Sequence, residues 1–270
     1  MKVKLITVDD TKSDQIQRVI DLLKSEKQAA ASNGNEDEAN KCWRELEALE
    51  LNTLYIQAFN NLKSKCYRQA WIELEQCEIN YLYISKNSTQ EFLDTSRLNF
   101  IQDKVLKLQS LYPYCLFCSP EYKVGYCSCS ICGHKVRPRS RCEHKKGKVY
   151  NGELCLHKVH EIEILGISFV TKPVQKYSVM HDDSTLDFTL IERLVSNLDD
   201  AFEDWNINWT KMKFPIERFS RVSKDDPCPC KSGDIFGACC MCKNEVEIPH
   251  LDFFFSKPLP SDAETIRFPY

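Results

Sequence analysis

Fifteen cysteines in 270 residues, twelve of them confined to two short windows, constrain this chain more than any other feature. Seven lie between Cys115 and Cys155 and five between Cys228 and Cys242, whereas Cys42, Cys66 and Cys77 stand alone. Thiols at this density close either disulfides or metal ions, and the redox compartment decides between them. The early apolar run Val3–Val8 stops at Asp9-Asp10, too short for the core of a signal peptide. No stretch approaches the roughly 18 apolar residues of a membrane span. A cytoplasmic protein without a membrane anchor is expected, and in that reducing compartment the two clusters read as metal sites.

In the central window, Cys129-Ser-Ile-Cys132-Gly133 has the form of a zinc knuckle. Thiolates two residues apart both reach one tetrahedral ion, and the glycine permits the tight turn behind them. Cys142-Glu-His144 and Cys155 offer three donors for the two remaining positions. The expected set is Cys129, Cys132, His144 and Cys155, with Cys142 as the substitute. Cys115-Leu-Phe-Cys118 repeats the two-residue spacing and, with Cys127, either binds a further ion or forms ordinary buried thiols.

Asp226-Pro-Cys-Pro-Cys-Lys-Ser-Gly-Asp-Ile-Phe-Gly-Ala-Cys-Cys240 is the more specific motif. Cys228 and Cys230 bracket a proline that stiffens the loop, Ser232-Gly233 makes a turn, and Cys239-Cys240 completes four thiolates. The segment resembles the SEC-C motif, a small zinc-binding element of bacterial proteins that closes the preprotein translocase ATPase, whose last ligand is a histidine. Here Asp234, Ile235 and Phe236 replace the basic residues that usually separate its halves. The resemblance implies a structural zinc ion and an accessory role in contacting protein or ribosomal partners. With the central site, two zinc ions are expected and a third is left open.

The rest of the chain supplies scaffold. Ile16, Val19, Ile20 and Leu23 recur at helical spacing, as do Ala39, Trp43, Leu46 and Leu49, then Ala70, Trp71 and Leu74, then Leu98, Ile101, Val105 and Leu108. Ala29–Asn35 breaks the first pair, and Ser88-Thr89-Gln90-Glu91 has the form of a capping box opening the last helix. Ile162, Ile164, Ile167 and Phe169 alternate as in strands, a helix is predicted from Ser184 to Phe202, Trp205–Pro215 reads as an extended linker or strand, and Leu251–Phe255 as a buried strand first and a partner-docking edge second. The predicted class is α+β: an antiparallel helical bundle over 1–112, a cysteine-rich zinc module with strands over 113–182, and a helix, zinc loop and C-terminal strand over 183–270.

A net charge of -3 gives no global attraction to nucleic acid. Locally, Lys135, Arg137, Arg139, Arg141, Lys145, Lys146, Lys148 and Lys158 face only Glu143 and Glu153, a cluster suited to phosphate contacts. A solvated loop that lowers thiol pKa values explains the same charges. The expected function is a non-catalytic bacterial zinc protein that recognises a macromolecular partner, protein first and nucleic acid through the 135–158 loop second. The alternative is a zinc-dependent nuclease or other hydrolase at the central cluster, where Glu143, His144, Asn151 and His157 offer polar groups.

Overall fold

The computed structural model describes residues 5–258 and has the expected α+β class, with helices first and small antiparallel sheets after them. The chain divides into two compact units, one running through Phe202 and one from Glu203 onward.

The first unit opens with a short turn of helix, α1 (Val8–Thr11), followed by α2 (Asp14–Ser32), α3 (Glu36–Lys63), α4 (Tyr67–Ser85), α5 (Gln90–Thr95) and α6 (Leu98–Ser110). Helix α2 starts where the Ser13 hydroxyl accepts the Ile16 amide, and α3 where the Asn35 side chain accepts the Glu38 amide. The alanines 29–31 extend α2 rather than breaking it; the break falls at Asn33-Gly34, where Gly34 takes a positive φ. Helix α3 packs on both α2 and α4, and α4 packs on α6. Their shared core holds Leu51, Tyr55, Leu74, Ile84, Leu98, Ile101 and Leu108, all fully buried. The single helix expected after Ser88 is two. Thr89, not Ser88, caps the first, and Arg97 at φ 63° turns the chain into the second.

Beyond the helices, β1 (Phe117–Cys129) pairs antiparallel with β5 (His157–Val170) along almost its whole length, and β2 (Lys135–Val136) adds a short third strand at Cys127-Ser128. The hairpin β3 (Val149–Tyr150) and β4 (Glu153–Leu154) lies between them in sequence. The expected divisions after residues 112 and 182 fall inside this unit. Trp71 of α4 packs its ring against Tyr112, Tyr114 and Phe117 and donates its indole N–H to the Lys176 carbonyl at 2.6 Å. The Glu75 carboxylate accepts the amides of Lys176 and Tyr177. Helix α7 covers only Thr189–Ser196, shorter than the predicted 184–202, and rests on α3.

In the second unit, β6 (Trp205–Pro215) pairs antiparallel with β7 (Glu245–Phe255), which settles the Trp205–Pro215 segment as a strand. Between them the chain makes the thiol-bearing loop and the one-turn helix α8 (Phe236–Cys239). A small core of Phe219, Cys228, Phe236, Cys240, Val246 and Ile248 holds that loop down. Apart from the thiols its fully buried apolar side chains are Phe219, Phe236, Val246 and Ile248, with Phe214, Ile216 and Val222 half-buried against them, a small core for some thirty residues of loop.

Candidate metal centres

The central site is built from the end of β1. The Cys129 amide donates to the His134 carbonyl and the Gly133 amide to the Cys129 carbonyl, both at 2.9 Å, with Gly133 at φ 73°. These bonds fold Cys129–Gly133 into the knuckle and aim two side chains the same way. Ser130 ties the knuckle to the opposite strand: its amide donates to the Leu156 carbonyl, and its hydroxyl accepts the Leu156 amide at 2.8 Å and donates to the Leu154 carbonyl at 3.2 Å. That clamp seats Cys155 beneath Cys129, their sulfurs 3.8 Å apart. Two thiolates about 2.3 Å from one tetrahedral ion lie about 3.8 Å apart.

The loop after β2 brings in the remaining donors. The ligand atoms of Cys129, Cys132, Cys142 and His144 all lie within 4.8 Å of one another, a group that could hold a metal ion. Cys142 therefore joins the mutual group, and Cys155, although beside Cys129, stands outside it. His144 meets the Tyr150 ring edge-on at 4.7 Å, and its Nδ1 is buried without a hydrogen-bond partner. An unpartnered buried imidazole nitrogen beside three thiols fits metal ligation. Burial pushes the Cys129 thiol up. The Cys132 and Ile131 amides and the thiols of Cys142 and Cys155 outweigh it and bring Cys129 to about 6. Cys155, buried completely and beside Cys129, is pushed up to about 11.

The second site is more compact. The Cys228 amide donates to the Asp234 carbonyl at 2.8 Å and the Lys231 amide to the Cys228 carbonyl at 2.9 Å, while Gly233 turns at φ 93°. The Gly237 amide approaches the Lys224 carbonyl at 2.8 Å, so close that a Cβ there would meet that oxygen at 2.9 Å; only glycine fits. This folding brings Cys228, Cys230, Cys239 and Cys240 into one group within 4.8 Å, with sulfur separations of 3.3 Å for Cys228–Cys230, 3.5 Å for Cys230–Cys239 and 3.6 Å for Cys239–Cys240. The Ser232 side chain, opposed by burial and aided by Cys228, lowers the Cys230 thiol to about 6. Burial pushes Cys228 up to about 12. Lys243 donates to the Cys240 sulfur at 3.5 Å, a cation placed where thiolate charge collects. Cys242 is exposed and outside the group.

No third group forms among the described residues. Cys118 and Cys127 sit nine positions apart on one strand, roughly 30 Å at the rise of a β-strand, and pair with Phe169 and Val159. Cys115 is exposed, its sulfur 3.5 Å from His181 Nε2. Of the polar groups considered for hydrolysis, His144 belongs to the grouped donors. Asn151 sits at φ 50° in the β3–β4 turn with its amide turned to the Ala31 carbonyl, and His157 pairs with Cys129 in the sheet.

Lys135, Arg137, Arg139, Arg141, Lys145, Lys146, Lys148 and Lys158 are all exposed. A further feature was not expected. On one face of the β1–β5 ribbon, Tyr122 and Val124 stand beside Ile162, Ile164, Ile167 and Phe169, each of these four more than half exposed. Among the described residues, no helix is long and apolar enough to cross a membrane. No protein-family model matches the chain, and no curated protein or solved structure is significantly similar to it.

Proposed function

We propose that this chain is a non-catalytic bacterial zinc protein of the cytoplasm, with two structural zinc ions, that recognises a protein partner. One observation carries the non-catalytic reading: each group supplies four mutually close donors from the chain itself. A tetrahedral ion held by four side chains has no position left for a water nucleophile. Four thiolates, or three thiolates with one imidazole, are donor sets that zinc favours. Hydrolysis at the central cluster would need an open position that this donor count does not leave. The Cys228–Cys240 loop is read as a SEC-C element, with an accessory role.

A protein partner is favoured by the exposed apolar face of the β1–β5 ribbon, because contiguous apolar surface of this kind on a folded chain marks contact sites. The exposed basic loop favours an additional anionic contact.

The test is zinc per chain, by elemental analysis of protein purified without added metal, for the wild type, Cys129→Ser and Cys228→Ser. Two ions in the wild type and one in each variant are expected. One ion or none in the wild type would sink the reading.

A further inference from the structure

Between α3, the turn joining α4 to α5, and β3 lies a cleft of about 410 Å³ lined by Asn40, Arg44, Lys86, Asn87, Ser88, Thr89, Lys148 and Val149. Three of these eight residues are cationic and none is acidic. Fixed positive charge without a neutralising carboxylate is costly to gather unless an anion completes it. Among the described residues, Arg44 and Lys86 have no carboxylate partner; Lys86 lies 5.9 Å over the Tyr83 ring, and Lys148 donates to the Lys86 carbonyl. Those contacts leave N–H donors on both ammonium groups for a ligand.

The polar, uncharged lining divides into supports and open donors. Asn87 is fully engaged: its amide nitrogen donates to the carbonyls of Tyr83 and Gly147, and its oxygen accepts the Val149 amide at 3.1 Å. It fastens β3 against the end of α4 and so fixes the width of the cleft. Asn40 accepts the Gly152 amide at 2.7 Å through its oxygen, which leaves its NH2 group for the cleft. The Ser88 hydroxyl is buried and makes no hydrogen bond. A buried hydroxyl without a partner carries a desolvation cost that a ligand oxygen would remove. Its position among three cations points to that oxygen as anionic.

We propose that this cleft is a phosphate-binding site, with Arg44, Lys86 and Lys148 neutralising the charge and Ser88 and Asn40 donating to phosphate oxygens. Arg44 supplies the planar fork suited to two oxygens of one phosphate, and the two lysines supply point charges. The volume exceeds one phosphate group, so the bound phosphate belongs to a larger molecule or sits with water. The site does not depend on the protein-partner reading, and it gives the neighbouring basic loop Lys145–Lys148 a place where an anion is bound rather than merely attracted.

The test uses the full zinc-loaded chain, with inorganic phosphate measured by calorimetry and a fluorescein-labelled single-stranded oligonucleotide measured by anisotropy. Saturable phosphate binding is expected, weakened roughly tenfold or more by Arg44→Ala and by Lys86→Ala, because each removes a charge-assisted donor. Ser88→Ala is expected to weaken it several-fold with no loss of thermal stability, since the hydroxyl supports nothing in the fold. A hydroxyl with a purely structural role would give the opposite pair of results. Lys211→Ala, in the second unit, should leave phosphate binding unchanged. Oligonucleotide binding that phosphate competes away would identify the source as a nucleic-acid backbone, and phosphate binding alone would identify a free phosphate compound. No saturable phosphate binding, or equal affinity in wild type, Arg44→Ala and Lys86→Ala, overturns the proposal.

Discussion

Around the central knuckle five donors compete for the four positions of a tetrahedral ion, and their placement separates them. Cys129, Cys132, Cys142 and His144 form one mutually close group, while Cys155 lies outside it with its sulfur 3.8 Å from that of Cys129. Cys155→Ser should therefore retain two zinc ions per chain and lose stability as a hydroxyl replaces a fully buried thiol, whereas Cys142→Ser should fall to one ion. Elemental analysis of the two variants decides the matter; the reverse pattern would return Cys155 to the ligand set. Glu47 makes a second prediction at this scale. Burial, with Glu50 and Glu153 adding to it and Lys27 and a Trp43 hydrogen bond opposing it, raises its carboxyl from 4.5 to about 7. A carboxyl raised in the folded state stabilises the fold below its ordinary pKa, and that contribution is lost as pH climbs from about 4.5 through 7. Glu47→Gln should match the wild type near pH 4 and exceed it at pH 8, by about 1–2 kcal/mol once solvent screening of a partly exposed group is allowed for. Urea unfolding of both proteins at the two pH values measures this, and a constant difference would contradict it.

At the scale of elements, the β1–β5 ribbon depends on an irregularity in its register. Ile162 and Ile164 are separated from Ile167 and Phe169 by an odd step, which in a regular strand would send the two pairs to opposite faces. The register shifts between Glu121 and Tyr122, where Leu165 is the extra residue, and all four side chains then share one face with Tyr122 and Val124. Because that face is exposed, Ile164→Thr with Ile167→Thr should change the unfolding free energy by less than about 1 kcal/mol while reducing fluorescence of a bound hydrophobic dye. A loss of several kcal/mol would mean that these side chains form a core. Only half of this ribbon was legible in the sequence. The isoleucine alternation marks β5, but the cysteines of β1 draw attention to ligand spacing, and the alternation Tyr122-Lys-Val124-Gly-Tyr126 passes beneath it. The helices were legible because their apolar stripes are long, and their ends were less so: Thr89 takes the cap that Ser88 also offers, and Arg97 adopts a left-handed turn that no glycine announces. The donors themselves were legible by type and spacing, because a tetrahedral ion restricts both. Which of Cys142 and Cys155 joins the mutual group depends on the Ser130 clamp and the path of the loop, and spacing carries neither.

For the whole molecule, the distribution of apolar burial and of thiols predicts how it responds to loss of metal. The helical core from Leu51 to Leu108 contains none of the grouped donors, so its burial is complete without an ion. In the second unit, by contrast, Cys228 and Cys240 are themselves core residues, and the side chains around them are few. Removing an ion there leaves four closely spaced sulfurs with only this small core and the loop hydrogen bonds to hold them, and a thiolate at Cys230 supported by hydrogen bonds from Ser232 and Cys228 instead of by a metal. A strong chelator should consequently leave most of the far-ultraviolet helical signal intact, since α2, α3, α4 and α6 hold most of the helix. Over the same titration, amide hydrogen exchange should rise sharply within 224–243, and within 129–155 where the knuckle and its loop close on the other centre. Readdition of zinc should restore protection in both segments, because an ion that binds the folded thiol groups stabilises that fold by mass action. Uniform loss of protection that includes α3 and α4 would show instead that the ions hold the helical core, and unchanged protection in both segments would show that neither thiol group holds a metal at all.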